Sequence, residues 1–493
     1  MAAPKVVPAK CPTCGANLPV PPGVFQVVCR YCQNVIHVEH RKPPPEVRPF
    51  GTPGAMPSRT LYVDPDAVTK ASKGIAYIIL FAVILPILIP LVFGVGPWAI
   101  RSCKGKLKPF PVACGLNEEL EVSGNFETTG PIVTNVAHNC KLHIKNAKLK
   151  GGTLIKTETF NMEVTLENVT IETTDVMIHA GSNLKVKMIG STLTSAAAVF
   201  DSDTNMELDV DNSTIESKNG AAIKSKHNLK VRMEGGKIRG KKAGIDTNSN
   251  LQLTMKKGAE VTSSDGPAVK TDSSFKLEAD GGKIDGGLLL TSSGDIVATG
   301  LTLTAKEKAI TATSSLKLDW TEGSITSATD VAIDADSSMD LTLINTKVQA
   351  ATTAIHCESN SKIKASKKTR IIGTTGYGIT TSSNSEVVLN DAALEAAMKA
   401  LKGSVNNKVK LAQGARMAGK KGGIDVEGNL EIEATGATLE GGSGAAIEAG
   451  YNARLSFKQG LLKGSPAIQL DRKPTSIELD GTRIEGEQKI PAR

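Results

Sequence analysis

The stretch that decides the fold is GAAIKSKHNLKVRMEGGKIRG, residues 220–240. Three short runs within it alternate apolar and polar residues, which is the period of a half-buried β-strand. Asn and Gly separate the runs, and both residue types tolerate the left-handed backbone of a tight turn. The next stretch, residues 241–263, reads KKAGIDTNSNLQLTMKKGAEVTS and repeats the pattern. The chain therefore encodes a repeated unit of three strands.

The unit recurs from about residue 115 onward, with a mean spacing of about 22.4 residues. A period of this size indicates a solenoid. Stacking sixteen units at about 4.8 Å per rung predicts a rod roughly 75 Å long. Residues 393–403, ALEAAMKALKG, have helical propensity but align in register, so we interpret them as a further coil. The sixteen apolar anchor positions are Ile132, Ile155, Ile178, Val199, Ile223, Ile245, Val269, Leu289, Ile310, Ile333, Ile355, Ile379, Leu401, Ile424, Ile447 and Ile468.

A turn residue follows most anchors at one fixed offset of five residues. Asn suits this turn because it adopts left-handed angles while bonding locally. Amides stacked at one turn also bond to the coils above and below. We therefore predict a row of stacked side chains at Asn183, Asn228, Asn250, Asn360, Asn384, Asn406, Asn429 and Asn452, with Ser274, Ser315 and Ser338 in the same row.

In period, strand number and turn position, residues 115–493 resemble the right-handed parallel β-helix (pectin-lyase-like) architecture. The predicted fold is all-β: a three-sided right-handed parallel β-helix of about 16 coils, with a small N-terminal zinc ribbon and one transmembrane helix. Enzymes of the resembled architecture build clefts from long loops and clustered carboxylates. The unit length here stays between about 20 and 24 residues, so we expect no loop long enough to wall a cleft.

The outward residues that follow the anchors contain no obvious catalytic cluster. Asp334 and His356 lie on neighbouring rungs, where they form either an acid–base pair or, as we favour, a solvated surface pair. Lys224, Asp246 and Lys270 alternate in sign and predict a surface ion ladder. We predict no catalytic residues and no enzymatic activity.

Four cysteines near the N-terminus form two C-x-x-C pairs fourteen residues apart: Cys11, Cys14, Cys29 and Cys32. This spacing brings four thiolates to the corners of a tetrahedron around Zn²⁺. Because four Cys ligands leave no open position for water, the predicted zinc is structural. The segment 11–38 resembles the lesion-simulating-disease class of zinc ribbons, matching at Leu18, Pro22, Gly23, Val28 and Val35. The resemblance implies that residues 1–39 are a docking module for a protein or nucleic-acid partner, without catalysis.

A Pro-rich linker at 40–73 precedes an uncharged apolar run at 74–100. The run exceeds the roughly 20 residues needed to span a bilayer, and we predict a single transmembrane segment there. A re-entrant hairpin is the alternative. The basic juxtamembrane segment 101–114 favours a cytoplasmic C-terminal side, whereas thiolate zinc ligands favour a cytoplasmic N-terminus. We give the zinc ligands more weight and predict that the β-helix lies outside.

The remaining cysteines depend on this topology. With the β-helix outside, Cys103 and Cys114 can form a disulfide; in the opposite orientation Cys103 can be acylated. Cys140 and Cys357 lie within the repeats at inward positions, where we expect buried, unreactive thiols.

Charge is uneven along the chain. Residues 1–114 hold 13 Lys and Arg against 4 Asp and Glu, whereas the rest holds 45 against 46. A near-neutral β-helix makes nucleic acid an improbable partner for it. We expect a membrane-anchored, non-enzymatic binding protein, whose ribbon docks a partner and whose β-helix presents a glycan-, envelope- or protein-binding face. The alternatives are a polysaccharide-active enzyme and a self-assembling scaffold, as in the bactofilins.

Overall fold

The computed structural model describes residues 7–10, 17–20, 26–28, 35–37 and 110–491. The chain divides into two compact units, residues 1–101 and 102–493. The first unit contains two antiparallel hairpins, in which β1 pairs with β2 and β3 pairs with β4. These strands are β1 (Val7–Lys10), β2 (Asn17–Val20), β3 (Gln26–Val28) and β4 (Val35–His37).

The second unit is a parallel β-solenoid of the right-handed type, with about 17 turns over residues 112–489. Within the described part of this unit, every regular element is a strand. Its strands are β5 (Val112–Ala113), β6 (Glu119–Glu127), β7 (Val133–Thr134), β8 (Lys141–Gly151), β9 (Ile155–Glu167), β10 (Thr170–Thr173), β11 (Ile178–Ile189), β12 (Thr192–Ser195), β13 (Phe200–Asp211), β14 (Thr214–Ser217), β15 (Ala221–Glu234), β16 (Lys237–Gly240), β17 (Ala243–Thr247), β18 (Leu251–Lys256), β19 (Glu260–Ser263), β20 (Val269–Thr271), β21 (Phe275–Asp280), β22 (Lys283–Asp285), β23 (Leu288–Leu290), β24 (Gly294–Thr299), β25 (Thr302–Ala305), β26 (Ile310–Ala312), β27 (Ser315–Ser327), β28 (Ile333–Ala335), β29 (Ser338–Ala350), β30 (Ile355–Ser366), β31 (Arg370–Gly373), β32 (Ile379–Asn390), β33 (Ala393–Ala396), β34 (Lys399–Leu411), β35 (Arg416–Gly419), β36 (Gly422–Thr435), β37 (Thr438–Glu440), β38 (Ile447–Tyr451), β39 (Arg454–Lys458), β40 (Leu461–Lys463), β41 (Ile468–Leu470), β42 (Ser476–Asp480), β43 (Arg483–Glu485) and β44 (Gln488–Lys489).

Each coil contributes three strand segments that pair in register with the coils on either side. The opening stretch is typical: β17 and β18 both pair with β15, and β19 pairs with β16. The predicted coil count of about 16 is one too low, because β5 and β6 form a further coil before the first anchor we assigned. Residues 393–403 are extended as predicted, since β33 and β34 pair with the coils on both sides.

The core is a stack of apolar, mostly aliphatic side chains from all three segments. In the opening stretch Ile223 and Ile238 are 0% exposed, and Leu229, Val231 and Met233 are buried between them. Burying one such side chain contributes about 1.5–3 kcal/mol. Because each rung adds the same small cluster, the stability of the solenoid is distributed along its length.

Three anchor assignments were wrong by one residue. Val133, not Ile132, is level with Ile155, because Pro131 pairs with Thr153. Phe200, not Val199, pairs with Ile178 and Ile223, and Leu288, not Leu289, pairs with Val269. All three coils carry a run of apolar residues at the anchor, so alternation alone does not distinguish the inward position there. Phe200 is 0% exposed, and the outward residue on its rung is Asp201.

The predicted Asn row is present and longer than expected. Seven Asn side chains form one continuous ladder in which each Nδ2 donates to the Oδ1 of the preceding coil at 2.8–3.0 Å. Five more form a second ladder with distances of 2.7–3.2 Å. All twelve have a positive φ of 51–60°. The first ladder is Asn117, Asn139, Asn161, Asn183, Asn205, Asn228 and Asn250; the second is Asn360, Asn384, Asn406, Asn429 and Asn452.

The predicted membrane segment at 74–100 lies outside the described residues. Among those that the structure does describe, no helix is long and apolar enough to cross a bilayer.

The ladder predicts a difference between two substitutions at Asn228, which bonds to Asn205 and Asn250. Asn228→Gly removes the amide but keeps a residue that accepts φ 55°. Asn228→Ala loses the same bonds and adds a left-handed strain of about 1–2 kcal/mol. We expect the alanine variant to unfold at a lower denaturant concentration than the glycine variant, and both below wild type. Equal midpoints for the two variants would contradict the role of backbone conformation at this turn.

Candidate functional site

The predicted zinc ligands Cys11, Cys14, Cys29 and Cys32 lie outside the described residues. The strands that flank them in sequence are described: the first C-x-x-C pair falls between β1 and β2, and the second falls between β3 and β4. Elsewhere, across the described ranges, no three His, Cys, Asp or Glu side chains are grouped so that they could hold a metal ion.

Asp334 and His356 are neighbours on adjacent rungs, as the repeat predicts. Asp334 is only 5% exposed, because Lys308 covers it and donates from Nζ to its Oδ2 at 2.5 Å. His356 Nε2 lies 4.0 Å from Asp334 Oδ1, and His356 Nδ1 is 2.7 Å from Thr380 Oγ1. The hydrogen bond that Lys308 donates to Asp334 raises the pKa of Lys308. The strongest partner of the carboxylate is therefore a lysine, which holds it as an ion pair.

His179 lies between two carboxylates on neighbouring rungs. Its Nδ1 is 3.2 Å from Asp201 Oδ2 and its Nε2 is 3.4 Å from Glu158 Oε1. On the same coil as Asp201, Asp203 Oδ1 lies 2.7 Å from Lys226 Nζ, and this hydrogen bond lowers the pKa of Asp203. The acidic residues of this stretch thus bond to side chains of adjacent rungs.

The cysteines of the first two coils differ from the prediction. Cys114 forms a disulfide with Cys140, with a Cα–Cα distance of 6.0 Å, rather than with Cys103. Cys140 is buried as expected, but it is not a free thiol. The two residues face the interior on neighbouring coils, so the register brings them within bridging distance.

Cys357 is a buried free thiol, as predicted. Its Sγ lies 3.2 Å from the carbonyl oxygen of Ser359 and 3.4 Å from that of Ser337. Burial raises the pKa of this thiol to about 11, which keeps it protonated and unreactive.

A charged row runs beside the Asn ladders, two residues after each ladder position. Its residues pair in register from rung to rung, and their sign alternates throughout except at a neutral Gln. Sequence reasoning missed this row, although reading the residue two after each turn Asn reveals it. The charge row is Glu119, Lys141, Glu163, Lys185, Glu207, Lys230, Gln252, Lys276, Asp295, Lys317, Asp340, Lys362, Glu386, Lys408, Glu431 and Arg454.

Alternation has a direct physical cause. Adjacent rungs are about 4.8 Å apart, and like charges at that distance repel whereas opposite charges attract. Lys408 Nζ lies 2.7 Å from Glu431 Oε1, and this hydrogen bond is the largest cause that lowers the pKa of Glu431. Lys141 and Glu163 approach to 3.8 Å. Each exposed pair contributes little alone, so the row mainly avoids repulsion along the coils.

The Asn ladders and the charge row together line open grooves, which we call the ladder face. One groove of about 340 Å³ is lined by Asn139, Lys141, Asn161, Met162, Glu163, Asn183 and Lys185. The next begins at Asn183 and Lys185 and extends to Lys230. Because the two grooves share residues, the ladder face is one continuous polar surface over the five coils from Asn139 to Lys230.

The predicted surface ion ladder of Lys224, Asp246 and Lys270 is present in part. Lys270 and Asp246 approach to 3.6 Å, and register places Lys224 between Asp201 and Asp246.

No protein-family profile, curated protein or solved structure matches this chain. The assignment of function therefore depends on the geometry of the chain itself.

Proposed function

We propose that the chain is a membrane-anchored, non-enzymatic binding protein whose β-solenoid presents the ladder face to an extended ligand outside the cell. The observation that carries this proposal is the continuity of the ladder face. Paired residues are never more than 24 positions apart, as between Leu253 and Leu277, and are as close as 19 between Leu277 and Ile296. Coils this uniform leave a long, unbroken surface, which suits recognition of an extended molecule.

The disulfide supports the external location of the solenoid. Bonds such as Cys114–Cys140 persist in oxidising compartments and are rare in the cytosol. The apolar run at 74–100, which precedes this bond in the chain, would then cross the membrane once, with the N-terminus in the cytoplasm. This evidence is independent of the zinc ligands on which the predicted orientation was based.

The zinc ribbon forms the second part of the proposal. Each C-x-x-C pair falls between the strands of an antiparallel hairpin, which is the arrangement that brings two thiolates together at a tight turn. Cys11, Cys14, Cys29 and Cys32 would hold one structural Zn²⁺, which supplies folding energy for the ribbon and no chemistry. The ribbon would dock a partner protein on the cytoplasmic side.

Metal analysis tests the ribbon directly. We expect the purified full chain to carry one zinc ion per molecule and the Cys29→Ser variant to lose most of it, because three ligands hold the ion less tightly. Cys357→Ala is the matched control, since that buried thiol belongs to the solenoid, and it should retain zinc. A zinc content that is zero in the wild type, or unchanged in Cys29→Ser, would refute the zinc site.

Thiol labelling in intact cells tests the location of the solenoid. Val297 is 45% exposed, so a Val297→Cys variant presents an accessible thiol on a solenoid whose other cysteines are buried. Cys103 follows the apolar run and would lie on the same side of the membrane as the solenoid, so the experiment uses a Cys103→Ser background. We expect a membrane-impermeant maleimide to label Val297→Cys in this background in intact cells and to leave the Cys103→Ser parent unlabelled. Labelling that requires permeabilised cells would place the solenoid in the cytoplasm and contradict the proposal.

A further inference from the structure

Exposed apolar side chains on the solenoid are concentrated at one structural position. The described residues include four large hydrophobic side chains with high exposure: Leu116 (64%), Phe160 (52%), Val297 (45%) and Tyr451 (37%). Single exposed apolar residues are normal on protein surfaces. Three of these four, however, directly precede a ladder Asn, namely Asn117, Asn161 and Asn452. Both ladders thus have an exposed aromatic ring beside them.

The ring beside the first ladder is held in place. Phe160 stacks on His138 of the preceding coil, with 5.6 Å between ring centroids and 6° between planes. The Phe160 backbone N–H donates to His138 Nδ1 at 3.1 Å, which fixes the imidazole under the ring. Phe160 therefore presents a rigid apolar platform, and no rotamer search is needed before a ligand stacks on it.

The ladder beside the platform keeps unused hydrogen-bonding capacity. A primary amide has two N–H donors and two acceptor lone pairs on its oxygen. In the ladder, Asn161 donates once to Asn139 and accepts once from Asn183, so one donor and one lone pair remain for solvent or a ligand. The same holds for the other interior members, which are all exposed. The surface thus offers a donor and an acceptor at every rung, about 4.8 Å apart.

This combination matches the chemistry of a sugar chain. A pyranose ring has an apolar C–H face that stacks on an aromatic ring and a rim of hydroxyls that both donate and accept. The alternating charge row beside the ladder has little net charge, so it favours a neutral chain over a polyanion. A peptide in extended form would instead require an unpaired strand edge, and within the first ladder β9, β11, β13 and β15 are paired on both sides.

We propose that a neutral linear polysaccharide lies along the first Asn ladder, with one sugar ring stacked on Phe160 and its hydroxyls bonded to the amides of Asn139, Asn161, Asn183 and Asn205. This inference rests on the proposed function, since it names the ligand of the ladder face. Tyr451 occupies the equivalent position on the second ladder, where it lies over Gly428, and forms a second stacking position.

The test is calorimetric titration of the full chain in lipid nanodiscs with neutral β-1,4-linked hexasaccharides of glucose and of N-acetylglucosamine. We expect one of them to bind, and to bind more tightly than its own disaccharide, because the longer chain contacts more rungs. Phe160→Ala should weaken binding about tenfold, the loss expected when an aromatic anchor is truncated. Phe160→Trp keeps the platform and should retain binding.

Two control variants separate ligand contact from loss of fold. Val297→Ala removes an equally exposed side chain away from the ladders and should leave affinity unchanged. Asn161→Gly keeps the backbone at φ 60° but removes an amide, and should weaken binding although it lowers the melting temperature no more than Asn228→Gly does.

Binding that survives Phe160→Ala, or no binding of either hexasaccharide by the wild type, would overturn the inference. The second outcome leaves the proposed function standing if Val297→Cys is labelled in intact cells. Conversely, a cytoplasmic solenoid would refute the proposed function even if sugar binding were observed.

Discussion

The structure depends on one constraint: each residue of a coil lies directly above its counterpart in the previous coil, about 4.8 Å away. A residue type that recurs at one position of the repeat is therefore stacked on copies of itself. The Asn ladders are the clearest consequence, since an amide can donate to an identical neighbour and accept from the next one. Apolar residues benefit in the same way, because Ile178, Phe200 and Ile223 stack into one continuous column. Identical charges stacked in this way would repel one another, and the charge row avoids this repulsion by alternating in sign from rung to rung.

Much of this arrangement follows from sequence, because a period near 22 with three alternating runs leaves few other folds. The Asn position was found for the same reason: its left-handed turn recurs at a nearly constant offset. Asn161 was missed because it follows Ile155 by six residues, and the pairing of β9 with β11 contains a bulge. Asn205 was missed because Val199 was taken as the anchor in place of Phe200. Local apolar runs and bulges shift a register that only pairing between coils can define.

Contacts between two particular residues were harder to predict from the sequence than rows of equivalent residues. The Cys114–Cys140 bond depends on which inward positions meet across one rung, and both cysteines lie near the start of the solenoid, where the repeat is least regular. Asp334 occupies an outward position of its coil and was therefore expected to be exposed. It is buried because it pairs with Lys308, which lies 26 positions earlier in the chain. The stacked pair His138 and Phe160 is also a contact between rungs. Such contacts distinguish one coil from another, and they are where binding can be specific.

The charge row offers the most direct test of in-register stacking. Lys408 lies between Glu386 and Glu431 in the row, and the Lys408→Glu variant would place three carboxylates on successive rungs. Measuring unfolding free energy at pH 7, we expect this variant to be less stable than the neutral Lys408→Gln control by about 1 kcal/mol. Mutual repulsion would raise the pKa values of these carboxyls. The loss of stability should therefore be present at pH values above those pKa values and should vanish near pH 3, where the carboxyls are protonated. Equal stability of the two variants at pH 7, or a difference that persists at pH 3, would contradict the stacking on which the whole surface depends.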